Sequence, residues 1–144
     1  MFERRETVKK YLLTLLMISL AISGCSTQNT EEPAVSLIGS WKLSSYGSAS
    51  APVPAAEGIE AGITFNEDST VVGTSGCNGF GGNYTVEGDQ VTFSEIVSTL
   101  IACEEPIMSQ EEAVLGVMAD SATYNIGGNT LRLTSNEMVL VLTR

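Results

Sequence analysis

Few residues in this chain have side chains that could do chemistry. Cys25, Cys77 and Cys103 are the only cysteines, and there is no histidine. Without histidine, a Cys-His or Ser-His nucleophile is excluded by composition. Two thiols with no imidazole and no paired carboxylates beside them make a poor zinc site. Glu104-Glu105 and Glu111-Glu112 are carboxylate pairs in sequence. Glycoside hydrolysis uses two convergent carboxylates about 5–10 Å apart, but neighbours on a helix point about 100° apart. The expectation is a chain that is not an enzyme, with no catalytic residue, no cofactor and no metal.

The remaining unusual stretch is residues 73–83, Gly-Thr-Ser-Gly-Cys-Asn-Gly-Phe-Gly-Gly-Asn, which holds five of the fourteen glycines. A phosphate-binding loop needs a helix directly after it. Here Tyr84-Thr85-Val86 follows and reads as a strand. Glycine reaches positive φ without steric cost, so the stretch predicts a tight hairpin or bulged turn.

The N-terminal 24 residues read as an export signal. Arg4, Arg5, Lys9 and Lys10 precede a short apolar run over residues 11–21. Such a run is a secretory h-region and falls short of the roughly 20 residues of a membrane span. It ends in Ile22-Ser23-Gly24-Cys25, which resembles the bacterial lipobox. That resemblance implies a palmitate-type lipid on Cys25, cleavage before it, and a membrane partner through the anchor. Ser26 resembles the outer-membrane sorting pattern if the cell has two membranes; otherwise the anchor implies the outer face of the cell membrane. Residues 25–36 are polar and too poor in apolar side chains to offset ordering entropy, so they read as a tether.

Residues 1–24 contain four of the seven basic and two of the seventeen acidic residues, leaving three basic and fifteen acidic, a net charge near −12. That excludes nucleic acid, which needs a basic footprint. Residues 37–144 suffice for one small core.

Alternation predicts strands over residues 39–46, 63–65, 70–73, 82–86 and 90–93, with Trp41, Leu43 and Ser45 on one side of the first. Residues 47–62 read as an irregular surface loop. Pro106 fits a first helical position, and Ile107, Val114, Leu115 and Met118 share one face of a helix over residues 107–120. Strands over 123–126, 130–134 and 138–142 follow. The fold class is α+β: a small antiparallel, partly open β-barrel or curled sheet of about eight strands with one helix.

The ordered set Trp41-Lys42-Leu43, Ile63-Thr64-Phe65, Gly76-Cys77-Asn78, Tyr84, Thr99, Ala102-Cys103, Glu111, Tyr124 and Leu131-Arg132-Leu133 resembles the META domain (HslJ-like) family over residues 37–144. The resemblance implies a partly open barrel with a helix, an exported or lipid-anchored protein of the cell envelope, and a stress-related role. It marks Trp41, Gly76, Asn78, Tyr84, Thr99 and Glu111 as structural motif residues and assigns no catalytic group. Leu100-Ile101 stands where similar sequences often carry a basic or methionine residue before the Ala-Cys pair.

In an exported protein Cys77 and Cys103 favour a disulfide; two buried free thiols are the alternative. Glu111 stands four residues from both Ile107 and Leu115, which turns it inward. A carboxylate there needs donors, expected from backbone N–H groups of residues 76–78 or of the segment before Cys103; the alternative is a carboxylate edging into water. The function expected is a binding or scaffold module. The alternative is a small apolar-ligand-binding or inhibitor module, separable by whether the barrel is filled.

Overall fold

A computed structural model describes residues 36–144. Cys25, the expected signal segment and most of the expected tether lie outside the described residues. The elements are β1 (Gly39–Ser48), β2 (Ala51–Pro54), β3 (Gly62–Phe65), β4 (Thr70–Thr74), β5 (Gly79–Glu87), β6 (Gln90–Ser98), α1 (Ile107–Val117), β7 (Ser121–Gly127), β8 (Thr130–Ser135) and β9 (Met138–Thr143). Every pairing is antiparallel between chain neighbours, except that β1 pairs with β3 and β9 as well as β2. Lys42 opposite Thr143 and Ser48 opposite Met138 join β1 to β9 and close an eight-strand barrel. The ninth strand, β2, runs beside the far half of β1 on the edge that β3 leaves free.

Alternation explains the core. Trp41 and Leu43 from β1, Ile63 and Phe65 from β3, Val71 from β4, Phe80 and Tyr84 from β5, and Val91 and Phe93 from β6 all point inward and are buried. Leu131, Leu133, Leu140 and Leu142 complete the wall and are fully inaccessible. Side chains therefore occupy the interior, as expected of a small barrel.

Two local departures from strict alternation matter. The β1–β9 register slips between Leu43 and Ser45. A bulge reverses the facing of every residue beyond it, so Tyr46 is buried and Ser45 is not, which corrects the expected inward Ser45. A second slip, between Gly81 and Asn83 opposite β6, coincides with Glu95 at φ +54°. There Ile96 packs close to Gly82, where a Cβ would strike its side chain.

The expected irregular loop over residues 47–62 contains β2. Its four residues are all exposed and pair Ser45 with Pro54 and Gly47 with Pro52. Proline donates no ladder bond, so it sits on an edge strand. Six strands thus precede the helix, not five. β5 also begins inside the glycine-rich stretch, which narrows the turn to residues 75–78.

Helix α1 packs on β9, β1 and β8. Pro106 is its N-cap, one place before the expected position, and Met118 is its C-cap. The inward face is Gln110, Glu111, Ala113, Val114 and Val117, with Met118 beyond it. Ile107 and Leu115, expected in the core, are half-buried, because the polar pair Gln110-Glu111 takes the inward position of the second turn.

Candidate functional site

The turn between β4 and β5 builds itself first. Ser75 N–H donates to the Asn78 carbonyl at 2.9 Å, and Asn78 N–H donates to Ser75 Oγ at 3.1 Å. Gly76 holds φ +104°, and a Cβ there would meet Gln110 Nε2 at 2.8 Å. Only glycine combines that backbone with that approach. The turn thereby presents the Ser75 and Asn78 side chains toward the helix.

Glu111 receives them. Ser75 Oγ donates to Glu111 Oε2 at 2.7 Å, and Asn78 Nδ2 lies 2.9 and 2.8 Å from the two carboxylate oxygens. The second Nδ2 hydrogen serves the Ile101 carbonyl at 2.8 Å. Asn78 Oδ1 accepts from Thr99 Oγ1 at 2.7 Å and from Ile101 N–H at 2.8 Å. One amide side chain thus uses its full donor and acceptor capacity. Beside it, Gln110 Nε2 donates to the Ser75 carbonyl at 2.6 Å, and Ala56 N–H donates to Gln110 Oε1 at 2.8 Å. Ser75 and Gln110 are fully buried, Asn78 is 2 % exposed and Glu111 8 %. No buried side-chain polar atom among the described residues lacks a partner.

The inward Glu111 is therefore as expected, but its donors are side chains, not the backbone N–H groups expected. A serine hydroxyl and a carboxamide can follow the carboxylate, whereas the N–H groups of Asn78 and Gly76 are spent on Ser75 Oγ and Thr74 Oγ1. Ser75 and Gln110 were missing from the sequence reading. Their signals are the Ser-x-x-Asn spacing of the turn and a polar residue directly before Glu111.

Just outside this network Cys77 and Cys103 are bonded, with Cα atoms 6.0 Å apart. The loop from β6 to α1 is thus fastened twice to the β4–β5 turn, by Asn78 and by the disulfide. Trp41 and Tyr84 lie elsewhere. Trp41 Nε1 donates to the Leu37 carbonyl at 2.8 Å, and the Arg144 guanidinium sits 4.3 Å from its ring centroid. Tyr84 meets Phe65 edge to face at 5.1 Å and donates its hydroxyl to the Asn66 carbonyl at 2.7 Å. The six motif residues therefore split: Gly76, Asn78, Thr99 and Glu111 converge, and Trp41 and Tyr84 brace the barrel separately.

Chemically the cluster is a clamp. Both oxygens of Glu111 are engaged, and Glu112 on the next position is exposed, so the pair diverges. Glu105 accepts from Ser109 Oγ at the helix start. Among the described residues no group of acidic or cysteine side chains could hold a metal ion. A cleft of about 430 Å³ at the barrel rim is lined by Trp41, Lys42, Glu60, Gly62, Thr64 and Arg144.

The META domain profile matches residues 35–144. Among solved structures, an NMR structure of a protein from Burkholderia xenovorans superposes with a TM-score of 0.61 at 23% identity, covering 74% of this chain and 81% of that one. A second protein solved by NMR gives 0.59 at 21% identity, covering 73% and 87%. These likenesses are of fold. No curated protein matches the sequence.

Proposed function

Because the chain belongs to the META domain family, we propose that it is a non-catalytic binding module, held at the cell envelope by a lipid on Cys25 and serving a stress-related role. The observation that carries the binding reading is the saturated clamp of Ser75, Asn78, Gln110 and Glu111 under a filled barrel. Its polar groups serve one another and leave no reacting atom presented to a substrate. The filled interior also favours a partner on the surface over an apolar ligand enclosed by the strands.

The anchor follows from Ile22-Ser23-Gly24-Cys25 behind a basic and apolar leader. Intact mass of the membrane-extracted protein tests it. The wild type is expected to begin at residue 25 and carry acyl mass, and Cys25→Ser to accumulate unlipidated or uncleaved. Wild-type protein without lipid would remove the anchor from the proposal and leave the binding module standing.

A further inference from the structure

Strand β6 is paired along only part of one side. Its first residues, Gln90 to Thr92, face Thr123 to Ser121 of β7, and Phe93 N–H reaches the Asp120 carbonyl at 2.7 Å. Beyond that point, among the described residues, no hydrogen bond reaches the backbone of residues 94–98 except from β5. The register tells which groups are left. Thr99 N–H donates to the Gly79 carbonyl at 3.1 Å, and Val97 stands opposite Gly81. In an antiparallel ladder bonded pairs alternate, so Val97 spends its N–H and C=O on β5, as Thr99 does its N–H. Ile96 and Ser98 then direct theirs away from the barrel wall.

A groove of about 270 Å³ runs along that open side, between Ile96 and Ser98 on the strand and Leu115, Met118 and Ala119 at the end of α1. The outer flank is apolar: Val97 is 71 % exposed, Leu100 94 % and Ile101 60 %. The edge does not float. Asn78 bonds both the N–H and the carbonyl of Ile101 and the hydroxyl of Thr99, and Cys103 is fixed to Cys77.

We propose that the open edge of β6 at residues 96–100 takes an extended, basic peptide segment of another protein as an added strand. This rests on the binding-module reading and names its partner. A row of unpaired, alternating N–H and C=O groups is complementary to another strand's backbone, and alternate side chains of that strand would enter the groove over Leu115 and Met118. Charge chooses the occupant. Glu95 lines the groove and Asp120 ends the paired stretch, while Lys42 and Arg144 lie at the β1–β9 rim and Arg132 reaches the Ala49 carbonyl. Residues 25–144 of a second copy would bring another net charge near −12. The chain's own residues 26–35 carry Glu31, Glu32 and Pro33. Like charge disfavours both, and the bulge at Glu95 confines pairing to the residues after it.

Amide exchange and chemical shifts on the full 15N-labelled chain in detergent test this, with a peptide of alternating valine and lysine as probe. Alone, the Ser98 amide should exchange fast and the Val97 amide slowly; the probe should slow Ser98 and shift residues 96–100, Leu115 and Met118. A valine–glutamate peptide, or the lysine peptide N-methylated at alternate positions, should fail to bind. Ser98→Pro deletes an N–H that β5 does not use, so affinity should fall about three- to tenfold with little change in melting temperature. A Ser98 amide as protected as Val97 in the free protein would overturn the proposal. So would equal binding of lysine and glutamate peptides, shifts confined to another face, or protection that rises with protein concentration and marks self-pairing. None of these outcomes touches the lipid on Cys25, whose mass test stands apart.

Discussion

Glu111 is a buried carboxylate whose three close contacts come from neutral donors, the Ser75 hydroxyl and the Asn78 amide. Removing it strands one Asn78 Nδ2 hydrogen in the interior and leaves the Ser75 hydroxyl only the Asn78 carbonyl at 3.2 Å; an unpartnered buried polar group costs about 1–3 kcal/mol. Glu111→Ala should therefore cost roughly 3 kcal/mol or more, with the added cavity. Glu111→Gln keeps one acceptor oxygen and should cost less, about 1–2 kcal/mol. Urea denaturation of both variants checks the order; equal losses would mean that the clamp does not depend on the acceptor. Asp68 illustrates the opposite setting, a surface carboxylate. Thr70 donates its hydroxyl at 2.6 Å and its backbone N–H at 3.1 Å, and these bonds hold the Asp68 carboxyl below the usual carboxylate range. A lowered folded pKa stabilises the protein above the unfolded value, and that contribution disappears as pH falls through the folded one. Thr70→Val removes the first bond, so an NMR titration should show the Asp68 midpoint rising. An unmoved midpoint would show that the hydroxyl bond is absent in solution.

The elements show what alternation can and cannot reveal. Strands with one buried face, such as Ile63 and Phe65 in β3 or Leu131 and Leu133 in β8, are legible because period two and apolar side chains coincide. β2 is not, because all four of its residues are exposed and two are proline; it exists only by pairing with β1. The bulges after Leu43 and at Glu95 were equally hidden, since one extra residue changes facing without changing composition. At the site, Asn78 and Thr99 stood out only through the resemblance, whereas helical spacing by itself turned Glu111 inward. Which donors met it was fixed by contacts 33 to 36 residues apart in the chain, beyond any local pattern. The disulfide belongs to this scale too, because it ties the β4–β5 turn to the segment entering α1 across a separation of 26 residues. Restricting the unfolded chain over that loop is worth roughly 3–4 kcal/mol in the chain-entropy account. Replacing both Cys77 and Cys103 by serine should lower stability by about that amount. The variant should still fold, because Asn78 holds Ile101 independently. Calorimetry reads the loss, and a loss near zero would mean that Asn78 alone fixes the segment.

At the scale of the molecule, charge is the unbalanced quantity. Beyond residue 24 there are fifteen acidic side chains and only Lys42, Arg132 and Arg144 to oppose them. The two arginines are turned to other work. Arg132 donates to the Ala49 carbonyl at 3.1 Å, bracing β8 against the β1–β2 connection. Arg144 covers Trp41 and donates to the Ser36 carbonyl at 3.4 Å, closing the barrel where the chain enters it. Neither contact is an ion pair that salt would weaken to the same degree as it weakens repulsion among the carboxylates. Net charge far from zero keeps a protein soluble but destabilises the compact state through self-repulsion. Salt shortens the reach of that repulsion to about 10 Å at 0.1 M. The melting temperature should therefore rise when sodium chloride is raised from about 20 to 300 mM, conditions that span the onset of strong screening. A gain of about 1 kcal/mol corresponds to roughly 4–8 °C in a domain near this size. Sodium sulfate would mix in exclusion from the protein surface, so chloride is the cleaner probe. A melting temperature that falls with chloride would mean that attractive pairs outweigh repulsion, and the acidic surface would then need another account.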